Sequence, residues 1–134
     1  MAKLETIEGI GPQFAAQLRQ AGVRSTGDLL KKGANPEGRK EISARSGISP
    51  KLILEWINHA DLFRIKGVGE EYADLLEESG VDTVVELANR KPEALIEAMK
   101  KVNEKKKLVR ALPSPKKVNS WIAQAKKLPR IIKY

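Results

Sequence analysis

Two stretches of this chain repeat one pattern: Ile7-Glu8-Gly9-Ile10-Gly11-Pro12 and, 58 positions later, Ile65-Lys66-Gly67-Val68-Gly69-Glu70. In each, an apolar residue precedes a Gly-x-Gly with an apolar middle residue, and an alanine (Ala15 or Ala73) lies four positions after the last glycine. Glycine permits tight turns and close approach of the backbone to another group, because it has no Cβ. We call residues 7–12 the first hairpin and residues 65–70 the second hairpin, and we expect a helix after each.

The repetition continues beyond the hairpins. Ala21-Gly22-Val23 matches Ser79-Gly80-Val81 at the same offset, and the helix signal Ser49-Pro50-Lys51 matches Ser114-Pro115-Lys116 at an offset of 65. The larger offset predicts an insertion in the second copy, which we place in the basic run of residues 100–110.

Helical spacing of apolar residues dominates the chain, and no segment shows the alternation of a strand. The sequence therefore predicts an all-α protein with an internal repeat, divided into a first unit of residues 1–62 and a second of residues 63–134. Residues typical of helix ends set the expected boundaries. We expect N-caps at Ser25, Ser49, Thr83 and Ser114, and first helical residues at Pro12 and Pro92. Helices should stop at Gly22, Gly47 and Gly80.

The two hairpins differ in what precedes them. Residues 3–6 are too few for a proper leading helix, whereas the helix that starts at Ser49 leads into the second hairpin. By symmetry we expect the helix starting at Ser114 to pack beside the first hairpin and replace its missing partner. This arrangement would close both units into one pseudo-two-fold helical body.

The runs "IEGIGPQFAAQLRQAGVRSTGDLL" and "ADLFRIKGVGEEYADLLEESGVDTVVELA" resemble the helix-hairpin-helix superfamily, and within it an uncharacterised domain-of-unknown-function family with two tandem, SAM-like units. The resemblance implies a protein that grips the backbone of DNA or RNA without strong sequence preference, through amides at Gly9, Gly11, Gly67 and Gly69. In some members a monovalent cation binds the hairpin carbonyls. This chain differs from the phosphate-binding members of the superfamily by carrying Glu8, Glu70 and Glu71. We therefore expect the first hairpin, rather than the second, to bind phosphate.

The charge is uneven along the chain. Residues 100–134 hold 12 basic side chains and one acidic one, and the net charge is +8. Such asymmetry indicates polyanion contact, and an excess of lysine over arginine favours nonspecific phosphate attraction. The candidate nucleic-acid-binding residues are Gly9, Ile10, Gly11, Gln13, Lys66, Gly67, Val68, Gly69, Lys100, Lys101, Lys105, Lys106, Lys107, Arg110, Lys116 and Lys117.

Several other interpretations stay open. Both hairpins are purely structural if the protein is an interaction adaptor, whose acidic middle and basic end dock on other proteins or on a second copy. The carboxylates Glu70, Asp74 and Glu78 share a helix face that is either solvated or a metal site. His59, the only histidine, is read as a helix-end residue rather than a catalytic one.

No catalytic constellation or cofactor motif is present, since Gly-x-Gly without a preceding strand and a third glycine does not predict a dinucleotide site. We therefore predict a non-enzymatic protein without metal or cofactor. Trp56 and Trp121 occupy equivalent apolar positions and are predicted core residues. The chain lacks cysteine, a signal-peptide pattern and any apolar run of the ~20 residues that span a membrane, so we expect a cytoplasmic or nucleoid-associated protein without membrane contact.

Overall fold

The computed structural model describes residues 3–134, and every regular element in that range is a helix, which confirms the all-α prediction. No helix in that range is long and apolar enough to cross a membrane. A short 3-10 helix, Leu4–Thr6, precedes eight α-helices: α1 Pro12–Gln20, α2 Thr26–Lys32, α3 Pro36–Ser46, α4 Pro50–Leu62, α5 Glu70–Glu78, α6 Val84–Ala88, α7 Pro92–Lys106 and α8 Pro115–Lys127.

The predicted capping residues lie at helix ends. Ser25 Oγ accepts a hydrogen bond from the Asp28 N–H at 3.1 Å, and Ser114 Oγ accepts one from the Lys117 N–H at 3.2 Å. Gly47 ends α3 with φ +74°, in the left-handed region that favours glycine. The insertion is visible as well, since α7 has 15 residues and its counterpart α3 has 11.

The chain folds into two compact units. Unit 1 ends at Asp61 and also includes Ile131–Tyr134, whereas unit 2 is Leu62–Arg130. The sequence analysis assigned residues 131–134 to the second repeat. In the structure they return to unit 1, where the Lys133 N–H donates to the Ala34 carbonyl at 2.7 Å. Unit 2 is therefore an insertion between the body of unit 1 and its last four residues.

Each unit has its own apolar core. In unit 1, α3 packs against α1 and α2; in unit 2, α8 packs against α6 and α7, and α5 packs against α7. The core of unit 1 includes Leu4, Ile7, Leu18, Val23, Leu29, Ile42, Ile53, Trp56 and Ile57. The core of unit 2 includes Leu62, Ile65, Leu75, Leu76, Val81, Leu87, Leu95, Met99, Val118, Trp121 and Ile122.

The two tryptophans show which helix covers which hairpin. Trp56 of α4 lies with its ring centroid 5.1 Å from that of Phe14, and Trp121 of α8 lies 5.2 Å from Tyr72. Both tryptophans are buried, as predicted. The expectation that the helix starting at Ser114 packs beside the first hairpin is wrong, because α4 already fills that place in unit 1 and α8 fills the equivalent place in unit 2.

Candidate nucleic-acid interface

The first glycine of each hairpin makes the turn. Gly9 has φ +93° and Gly67 has φ +95°, a region that other residues rarely adopt. The turns are closed by hydrogen bonds from the Ile10 N–H to Ile7 O (3.1 Å) and from the Val68 N–H to Ile65 O (3.2 Å). The predicted site residues Ile10 and Val68 are buried and their N–H groups are engaged in these turns, so neither their side chains nor these amides are available to a ligand.

The second glycine of each hairpin is different. Gly11 (φ −88°, ψ −174°) and Gly69 (φ −99°, ψ −166°) have extended backbone angles that any residue adopts. A Cβ built on either residue would meet no atom within 4 Å. Neither the turn nor the packing of the protein therefore requires glycine at these two positions.

Gly11 and Gly69 are also the N-caps of α1 and α5, and without a side chain they cap nothing. Side chains do cap α2, α3, α4, α6 and α8, through Ser25, Asn35, Ser49, Thr83 and Ser114. The first N–H groups of a helix have no partner within the helix, and an anion is attracted to them. The two hairpins thus present the first turns of α1 and α5 without a side-chain cap, a property that the start of α7 at Pro92 shares.

The second hairpin is hydrogen-bonded to α8. The Lys66 N–H donates to Gln124 Oε1 at 2.9 Å, and Gln124 Nε2 donates to Lys66 O at 3.2 Å. Trp121, one turn earlier on α8, lies so close that a Cβ on Gly67 would stand 3.0 Å from its Nε1. Gln124 is not among the predicted site residues, and its only signal in the sequence is its position one turn after the repeated tryptophan.

Two lysines of unit 2 lie on this hairpin or near the helix that follows it. Lys66 is exposed on the hairpin itself, and Lys117 Nζ lies 5.8 Å from the centroid of the Tyr72 ring in the first turn of α5. Tyr72 Oη donates to Ala111 O at 3.3 Å, which brings the chain next to Arg110 to the same helix end. Lys117 and the backbone next to Arg110 therefore both lie near Tyr72 in the first turn of α5.

Arg64 is a further cation next to the second hairpin and is not among the predicted site residues. It directly precedes Ile65, the first residue of the hairpin, and its Nη2 donates to Pro129 O at 2.6 Å. The signal in the sequence that could have identified Arg64 is its position directly before the hairpin.

The surroundings of the first hairpin are less basic. Glu8 stands where the second hairpin has Lys66, and Leu52 of α4 stands where α8 has Lys117. Arg19 is paired with Glu5 at 3.1 Å, and a backbone hydrogen bond together with this guanidinium lowers the pKa of the Glu5 carboxyl. These cations favour the second hairpin as an anion site, whereas Glu70 and Glu71 in the first turn of α5 oppose it and the first turn of α1 has no acidic residue.

Lys106, at the end of α7, does not lie beside the second hairpin. Lys106 Nζ forms an ion pair with Glu78 Oε2 at 2.6 Å, and Glu78 is the last residue of α5. A nine-residue helix is about 13 Å long, so this pair is separated from Gly69 by the length of α5. The remaining predicted lysines are exposed: Lys100, Lys101, Lys105, Lys107 and Lys116.

The other open interpretations can be placed on the structure. Within residues 3–134, no three His, Asp or Glu side chains come together as a metal site requires. His59 is buried in α4, with 5% of its surface exposed. Gln13 is exposed in the first turn of α1 and stays accessible to a ligand of the first hairpin.

A family described as a domain of unknown function (DUF4332) matches residues 8–128, a range that includes the glycines of both hairpins. No curated protein and no solved structure shows significant similarity to the chain.

Proposed function

The chain belongs to the DUF4332 family, and we propose that it is a non-enzymatic protein that binds the phosphate backbone of DNA or RNA through tandem helix-hairpin-helix units. The proposal rests on the presence of glycine at position 69 and at the equivalent position of unit 1, Gly11. Glycine there is explained neither by the backbone angles nor by the packing. It is explained if an outside group must approach the start of the helix, where a Cβ and a capping side chain would both interfere.

The group best suited to this position is a phosphate. The first N–H groups of α5 and the positive end of its dipole attract an anion, and Lys66 and Lys117 add positive charge around it. These contacts involve phosphate oxygens rather than base edges, so they confer affinity without sequence preference. Glu70 and Glu71, at the start of the same helix, oppose the anion and limit its affinity.

Fluorescence anisotropy tests the proposal. A labelled DNA duplex, its single strand and the corresponding RNA are titrated with the protein over a series of NaCl concentrations. We expect affinity to fall with salt, by a log–log slope of about 0.9 for each neutralised duplex phosphate. The double variant Lys66→Gln/Lys117→Gln should bind more weakly and with a shallower slope.

The matched control is Lys40→Gln/Lys51→Gln, which removes two exposed lysines of unit 1. It should leave the affinity and the salt slope near those of the wild type. An equal loss in both double variants would contradict a site at the second hairpin and would instead indicate general attraction to a basic protein.

One observation favours the alternative function, an adaptor for other proteins. The Lys106–Glu78 pair ties the basic end of α7 to the acidic helix α5 and so neutralises part of the positive charge within unit 2. The same titration distinguishes the two functions, because an adaptor with structural hairpins has no appreciable affinity for any of the three nucleic acids at low salt.

A further inference from the structure

Helix α8 has one face in the core of unit 2 and the opposite face in solvent. Its buried residues are Val118, Trp121, Ile122 and Ala125. On the opposite side, four exposed residues follow one another at helical spacing, and we call them the outer stripe of α8: Lys116, Ser120, Ala123 and Lys127. The outer stripe is therefore a free surface that begins and ends with a lysine.

The charge of this helix is entirely positive. Residues 105–134 contain no aspartate or glutamate, and α8 has four lysines, two in its first turn and two in its last. Lysines in the last turn stabilise a helix, because they face the negative end of its dipole. Lys116 and Lys117 stand at the positive end, where they disfavour the helix. Their presence is explained if α8 binds an anionic partner.

The middle of the outer stripe is small. Ser120 and Ala123 lie between Lys116 and Lys127, which are 11 positions apart and thus separated by about 16 Å along the axis. An α-helix with its side chains is about 10–12 Å in diameter, and the major groove of B-form DNA is about 12 Å wide. Small residues let the helix backbone enter such a groove, while the long lysines at both ends reach the phosphates along its edges.

The outer stripe lies next to the residues that contact the second hairpin. Gln124, which follows Ala123, accepts the hydrogen bond from the Lys66 N–H at 2.9 Å. Lys117, which follows Lys116, has its Nζ at 5.8 Å from the centroid of the Tyr72 ring. The hairpin and α8 are thus held together within unit 2, so both can contact one nucleic acid molecule.

We propose that the nucleic acid is a B-form DNA duplex and that α8 lies in its major groove, with Lys116 and Lys127 on phosphates of the two edges; this inference rests on the proposed function. A single strand offers only one row of phosphates, and the major groove of duplex RNA is too narrow to admit a helix. Ser120 and Ala123 make few contacts that distinguish bases, so sequence preference stays weak.

The test compares three labelled probes by fluorescence anisotropy: a DNA duplex, the RNA duplex of the same sequence and one of the DNA strands. The wild type should bind the DNA duplex several-fold more tightly than the other two. In Lys116→Gln/Lys127→Gln this preference should disappear, and the log–log salt slope for the DNA duplex should be shallower by about 1.8, the contribution of two phosphates. The control Lys40→Gln/Lys51→Gln removes the same charge from unit 1 and should keep the preference.

A second pair of variants tests the fit of the helix rather than its charge. Ala123→Trp enlarges the middle of the outer stripe and should weaken binding to the DNA duplex several-fold, without the same loss for the single strand. Ala44→Trp enlarges an exposed alanine of α3 in unit 1 and should change neither affinity. Since both alanines are exposed, circular dichroism should show wild-type helix content in both variants.

The outcomes separate the two proposals. No binding of any probe by the wild type overturns the proposed function and this inference with it. A loss in Lys66→Gln/Lys117→Gln without one in Lys116→Gln/Lys127→Gln leaves the hairpin site in place and overturns the role of α8. Equal affinity for the two duplexes, or an unchanged affinity for the DNA duplex in Ala123→Trp, overturns the placement of α8 in the major groove.

Discussion

Gln124 is joined to the backbone of Lys66 by two hydrogen bonds, one accepted by its Oε1 at 2.9 Å and one donated by its Nε2 at 3.2 Å. The side-chain amide thereby fixes the exposed tip of the second hairpin on α8, while Trp121 supports Gly67 from the same helix. A hairpin held in this way loses little conformational freedom when it binds a ligand.

Gln124→Ala is expected to lower the free energy of unfolding by about 1 kcal/mol, since both bonds are lost at a partly exposed site. It should also weaken binding to a DNA duplex, because the hairpin is no longer held in its binding conformation. Urea unfolding and anisotropy check the two effects. Ser120→Ala is the control, because it removes only the 3.3 Å bond from Gln124 Nε2 to Ser120 Oγ. Unchanged affinity in Gln124→Ala would show that the hairpin needs no such support.

The two glycines of the second hairpin should respond differently to substitution. Gly67→Ala is expected to lower the free energy of unfolding by about 1–3 kcal/mol, because φ is +95° and the new Cβ would lie 3.0 Å from Trp121 Nε1. Gly69→Ala should lower it less, by about 0.5–1 kcal/mol, because the space around it is open but alanine is a poorer N-cap than glycine. Urea unfolding measures both, and equal losses would contradict the assignment of different roles to the two glycines.

Glu71→Gln is expected to raise the affinity for a DNA duplex, because an exposed carboxylate in the first turn of α5 repels the phosphate we place there. The gain should shrink as salt is added, since salt screens exposed charges. Glu97→Gln on α7 removes an equally exposed carboxylate and serves as the control in the same anisotropy titration. A gain of the same size in the control would mean that only the net charge matters.

Gly38→Ala is expected to destabilise unit 1 by about 3 kcal/mol, because the added Cβ would lie 1.9 Å from the backbone carbonyl oxygen of Lys32. Backbone atoms cannot move aside as the end of a flexible side chain can. Thermal unfolding measures the loss, and Gly11→Ala, where the space is open, is the comparison. Wild-type stability in Gly38→Ala would contradict the close approach of α2 and α3.

Local signals in the sequence were sufficient to predict the helices and the tight turns at Gly9 and Gly67. Ser25, Thr83 and Ser114 cap helices as expected, because a capping side chain bonds an amide only three residues away. Contacts between distant residues had no such signal. The docking of residues 131–134 on unit 1 and the close approach at Gly38 depend on where the chain returns, which no local pattern records.

The repeat itself misled the assignment of α8. Since Trp56 and Trp121 stand at equivalent positions, the sequence alone allows either helix to cover either hairpin, and only the folded contacts decide between them. The three lysines at positions 105–107 likewise favoured a binding site at that part of the chain. In the structure, Lys106 pairs with Glu78, at the end of α5 that is far from Gly69. Arg64 and Gln124 were missed because each is a single polar residue whose importance comes from its neighbours in space.

The most direct test of a phosphate site at the second hairpin is an NMR titration of isotopically labelled protein with a short DNA duplex at low salt. We expect the largest changes in amide chemical shift at residues 66–72, around the start of α5, with smaller changes at Lys117. Changes confined to the lysines of residues 100–107, or changes centred on unit 1, would contradict a phosphate site at this hairpin.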